Sequence, residues 1–129
     1  MCKERTEEEI TAEILKRIEK EYGSVPEVSQ VLSERPDLFI PSANVCRSVF
    51  DGKGKLEKKF RHLAALSAAV ALGAEHCQTV QMQMAVKSGA TEDEILETMQ
   101  IAAVVSMTHA QSYAFRRYRE MFPREKAPQ

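Results

Sequence analysis

The 129-residue sequence predicts an all-α fold, a single domain (1–129) built as a bundle of about six to seven helices. Three observations lead there. Capping boxes and glycine stops punctuate the chain at helix-length intervals. Apolar residues between them recur at the 3.6-residue spacing of a helix face, and no stretch alternates over strand length.

The elements follow in order. Thr6-x-x-Glu9 is a capping box, and Ile10, Ile14, Leu15, Ile18 and Tyr22 continue at helical spacing until Gly23 supplies a stop. Pro26 suits the first turn of a short second helix, which Pro36 is expected to close. Pro41 is expected to interrupt again, so that Ser42 caps a third helix through Val45 and Val49 to Phe50, before the turn Asp51-Gly52-Lys53-Gly54. From Leu56 the residues Phe60, Leu63, Ala64, Val70 and Ala71 form a stripe, and the alanines from Ala64 to Ala74 allow another helix to approach closely. Gly73 interrupts this central helix, the next runs from about Ala74 to Lys87, and Gly89 suits the left-handed position that ends it. Thr91-x-x-Glu94 is a second capping box, opening a helix through Ile95, Met99, Ala102 and Met107 that bends near Thr108 and continues to Met121. The tail 123–129 is expected to be disordered.

Composition narrows the function classes. The chain is 43% apolar and 29% charged with a formal net charge of −1, which leaves no excess charge to attract nucleic acid or an anionic membrane. The most apolar stretch, Leu63 to Ala74, is about a dozen residues, short of the roughly 18–20 that cross a bilayer. The acidic start without an apolar segment behind it reads as cytoplasmic. Cys2, Cys46 and Cys77 are an odd number at irregular spacing, the pattern of free thiols rather than of a disulfide framework or zinc set.

Residues 60–115 resemble the characteristic half of the carboxymuconolactone decarboxylase / alkylhydroperoxidase D superfamily. The resemblance lies in the order of a small-residue helix (Leu63 to Leu72), a break at Gly73, a second helix (Ala74 to Lys87), and the turn Gly89-Ala90-Thr91-Glu92-Asp93-Glu94 opening a long helix. Anchored on Gly89, the Cys-x-x-Cys-x-x-x-His motif of the peroxidase branch falls on Ala74, Cys77 and Gln81, and the branch's upstream glutamate falls on His62. Only the second cysteine of the motif is kept. The resemblance implies an alkylhydroperoxidase D-like bundle and a closed homo-oligomer, trimer or hexamer, with a small-molecule substrate. It implies thiol-dependent hydroperoxide reduction (a peroxiredoxin-type, antioxidant oxidoreductase activity) in the branch with a complete motif. In the branch that lacks the cysteine pair it implies a lyase acting on a small carboxylated lactone. His76 is loosely similar to the histidine of that second branch.

The residues themselves support a matching set of alternatives. Cys77 lies about one turn into a helix that restarts after Gly73, a position that favours a reactive thiol, while a small buried apolar cysteine is the other reading. Gln81 sits one turn further on the same face and can donate a hydrogen bond to sulfur or to an oxyanion. His62 and His109, on the helices either side, are placed to converge on Cys77, and an imidazole suits acid/base work near neutrality. Adjacent helical side chains point apart, which turns His76 away from Cys77. The catalytic candidates are therefore Cys77, His76, Gln81, His62 and His109, with no cofactor and no metal, since no i, i+4 ligand pair supports one. With its partner cysteine replaced by Ala74, Cys77 would need an external thiol reductant. A non-catalytic oligomeric binding module is the third alternative. Met82, Met84, Met99 and Met107 read as core or interface filler, and the clusters Lys55-Leu56-Glu57-Lys58-Lys59 and Arg116-Arg117-Tyr118-Arg119 as solvated helix faces or, by the resemblance, subunit contacts.

Overall fold

The computed structural model describes residues 4–124, which form six α-helices and no strand. Cys2 and residues 125–129 lie outside the described residues; Pro123 and Arg124 follow the last helix without regular structure. The chain forms two compact units, Met1–Glu57 and Lys58–Gln129.

The first unit begins with α1 (Glu7–Tyr22). Thr6 caps it in extended conformation: its hydroxyl accepts the Glu9 N–H at 3.2 Å, and the Glu9 carboxylate accepts the Thr6 N–H at 3.0 Å. Gly23, at φ 83, turns the chain out of the helix. Thr11 and Ile14 form the buried stripe of α1, and Phe39, 2% exposed, lies in the core of the same unit. Tyr22 is partly buried, and burial first, then the neighbouring Glu21 carboxylate, pushes its phenol above the ordinary range.

Three expectations fail at the prolines. Pro36 does not close α2 (Glu27–Leu32); it is the first residue of α3 (Pro36–Asp51), where its missing N–H has no helical partner to lose. Pro26 stands at the cap of α2 rather than inside its first turn. Pro41 does not divide α3, and Ser42 is an interior residue rather than a cap. Starting the helix at Pro36 puts Pro41 six residues in, on an exposed surface, so the ring removes one hydrogen bond, that to the Asp37 carbonyl, without meeting packed atoms. Arg35 and Asp37 brace the start through paired hydrogen bonds of 2.9 and 2.7 Å.

The second unit contains α4 (Lys58–Leu72), α5 (Glu75–Lys87) and α6 (Glu92–Met121). His62, Leu63, Leu66 and Ala69 form the buried stripe of α4, against Met84 and Ala85 of α5 and Ala102 of α6. The alanines remove bulk at these crossings, so the backbones come close around Leu66, which is fully buried. α4 ends as Gly73, at φ 67, lets the Ala74 N–H donate back to Ala69 O at 2.9 Å; α5 starts two residues later. The second capping box is formed by Thr91 and Glu94, and α6 then runs unbroken for 30 residues through Thr108, whose hydroxyl donates to Val104 O at 2.9 Å. No helix of the described residues is long and apolar enough to cross a membrane.

Candidate functional site

The α4–α5 pair carries most of the chemistry-bearing residues. His62, on the second turn of α4, is 1% exposed. Its Nδ1 lies 2.9 Å from Oε1 of Gln81 on α5, a bond in which the imidazole Nδ1–H donates and the amide oxygen accepts. In the neutral imidazole that leaves the lone pair on Nε2. The two positions at which the peroxidase branch of the resembled family carries glutamate and histidine are thus in direct contact here, occupied by His62 and Gln81.

Cys77 is the third residue of α5 and is exposed in the single chain. Gln81 stands four residues on, one turn along the same face. The first backbone bond of α5 runs from Gln78 N–H to Ala74 O at 2.9 Å, so Cys77 lies in the opening turn, whose N–H groups have no helical acceptor. Gln78 ties this end of α5 to α4 by donating to Ala69 O at 3.3 Å.

The remaining candidates are placed apart from this pair. His76 is exposed beside Cys77. His109 is exposed on α6, and its ring neighbour is Tyr113, edge-on at 5.2 Å between centroids. The structure therefore joins His62 to Gln81, keeps Cys77 one turn away, and gives neither His76 nor His109 a contact with the thiol. Cys46 is exposed on α3 in the first unit. A shallow groove lined by Leu15, Glu19, Val25 and Gln30 also belongs to that unit and holds no cysteine or histidine. Among the described residues no three His, Cys, Asp or Glu side chains gather as a metal site.

Lys59 was expected on a solvated face. It instead reaches across from α4 to Glu94 on α6, with Nζ 2.8 Å from Oε1 and its side chain 25% exposed. The Lys59 hydrogen bond, followed by the backbone bond from Thr91, holds the Glu94 carboxyl below the ordinary carboxylate range. Glu94 was legible as a capping residue; its second role was not, because the capping box uses one of its oxygens and only the packing of α4 on α6 presents a cation to the other.

The model of the carboxymuconolactone decarboxylase family matches residues 36–120, from the start of α3 almost to the end of α6, and the chain belongs to that family. Neither the curated proteins nor the solved structures contain a match to it.

Proposed function

We propose that the protein is a thiol-dependent hydroperoxide reductase working with one cysteine, Cys77. The observation that carries the reading is the exposed thiol in the first turn of α5, one turn from the half-buried His62–Gln81 contact. Cys77 Sγ attacks the terminal oxygen of a hydroperoxide, the O–O bond breaks, and the alcohol or water leaves with a proton. Cys77 is left as a sulfenic acid. A small external thiol then displaces water to form a mixed disulfide, and a second thiol releases Cys77 as a disulfide of the reductant forms. Ala74 stands where a resolving cysteine would be, so the outside thiol is an obligatory co-substrate. Gln81 is the residue that orients peroxide oxygen at the sulfur, held in place by His62.

A second reading has its own support. The family match and the buried imidazole of His62 favour a lyase on a small carboxylated lactone, with His62 as acid or base and no part for the thiol. One experiment separates the two: hydroperoxide consumption with added dithiol, compared between the wild type and Cys77→Ser. The thiol reading expects consumption by the wild type and its loss in the variant, with helix content unchanged. Equal rates in the two proteins, or none above buffer, would end it and leave the lyase or a non-catalytic binding module. In either case the working form is proposed to be a closed homo-oligomer.

A further inference from the structure

One side of α6 bears a regular apolar stripe, while Val105, Met107, Tyr113 and Met121 are exposed on its other sides. Ile101, Val104, Thr108, Gln111, Phe115, Tyr118 and Phe122 follow one another at alternating steps of three and four, the a/d pattern of a coiled-coil seam. Its apolar members are each between 46 and 62% exposed. At about 100° per residue the stripe is centred roughly 170° around the helix from the face formed by Ile95, Thr98, Met99 and Ala102, the more covered side of α6. From Ile101 to Phe115 the helix contains no Asp, Glu, Lys or Arg. A charge-free run on an exposed helix is the composition of an interface core.

The stripe is also complementary to itself in reverse. Turned end for end about the point between His109 and Ala110, it sets Ile101 opposite Tyr118, Val104 opposite Phe115, and Thr108 opposite Gln111. Tyr118 and Phe115 each meet a smaller aliphatic residue, the two polar residues meet each other, hydroxyl to amide, and Phe122, just past the end of α6, falls opposite Glu97. Charge agrees with that direction. α6 opens with Glu92, Asp93, Glu94 and then Glu97, and its last turns carry Arg116, Arg117 and Arg119, of which Arg117 pairs with Glu120. Antiparallel pairing brings Arg119 of one copy within about a turn of Glu97 of the other, whereas parallel pairing stacks the arginines together. The exposed aromatic and aliphatic side chains of the stripe and its flanks offer on the order of 600–700 Å² per copy, near the ~800 Å² per partner of a stable interface.

We propose that α6 pairs antiparallel with α6 of a second copy of this chain along the Ile101–Phe122 seam, about a two-fold axis between His109 and Ala110. The proposal rests on the homo-oligomer reading above and sharpens it, because an isologous contact occurs in a dimer or a dihedral hexamer and is absent from a cyclic trimer.

The test uses the full-length chain and two exposed seam positions, Val104→Glu and Phe115→Lys. Each variant alone places two charges against apolar partners and should lower the mass by light scattering at a fixed micromolar concentration, with helix content by circular dichroism unchanged. An equimolar mixture sets Glu against Lys at one crossing and leaves the wild-type Val–Phe pair at the other, so it should recover the wild-type mass. As an independent measure, with the three native cysteines replaced by serine, a mixture of Ile101→Cys and Tyr118→Cys should form a disulfide-linked dimer on oxidation, and neither protein alone should. Variants that keep the wild-type mass overturn the seam and leave self-association to another surface. Cross-linking of Ile101→Cys with itself overturns the antiparallel direction. A monomeric wild type overturns both the seam and the oligomer.

Discussion

Nδ1 of His62 and Oε1 of Gln81 stand 2.9 Å apart, one side chain from α4 and the other from α5, with the imidazole 1% exposed. A half-buried pair of this kind is asymmetric in its energetics, since removing Gln81 leaves the buried imidazole to bear the cost of desolvation. Gln81→Leu should therefore lower stability by about 1–3 kcal/mol. His62→Ala should cost more, roughly 2–4 kcal/mol, because it also opens a cavity. Urea unfolding of both single variants and the double variant would measure the coupling, expected between about 0.5 and 1.5 kcal/mol. Strictly additive losses would mean that the contact contributes nothing of its own.

At Gly73 the backbone stands at φ 67, and a Cβ placed there would meet nothing within 4 Å. The cost of a side chain is then conformational alone. Gly73→Ala should lower stability by roughly 1–2 kcal/mol, and Gly73→Asn, which tolerates the left-handed region better, by less. Thermal unfolding that ranks alanine level with glycine would show that the break between α4 and α5 adopts another geometry in solution.

Pro41 supplies a prediction of opposite sign. Alanine at this exposed site restores the N–H that bonds the Asp37 carbonyl inside α3, a gain that exceeds the roughly 0.4–1 kcal/mol by which proline restricts the unfolded chain. Pro41→Ala should raise the thermal midpoint. A fall would mean that proline holds a bend on which the packing of α3 depends.

Glu94 sets a pH dependence. Its folded-state carboxyl is held below the ordinary carboxylate range by Lys59 and by the Thr91 backbone. A depressed acid adds stability that is present above its unfolded-state value and fades as pH falls through the folded-state one. Stability of the wild type should decline across that acid window, and Glu94→Gln should decline less steeply there while being less stable at neutral pH. Parallel acid profiles for the two proteins would remove the linkage.

The sequence by itself determined the helical class, the caps at Thr6 and Thr91, and the stops at Gly23, Gly73 and Gly89, because each depends on groups within about four residues of one another along the chain. It misread the prolines: whether Pro36 closes one helix or opens the next, and whether Pro41 is tolerated, depends on where the helix starts and on what faces the ring. Cys77, Gln81 and His62 were legible as candidates through periodicity and through the resemblance. That His62 is buried against Gln81 while Cys77 stays exposed was decided by the packing of α4 on α5. The same holds for Lys59 on Glu94 and for which side of α6 is left uncovered. Local hydrogen bonding is written in short sequence windows, whereas the partner of a side chain across a helix pair is fixed by the rotation and approach of two helices, to which residues far apart in the chain contribute together.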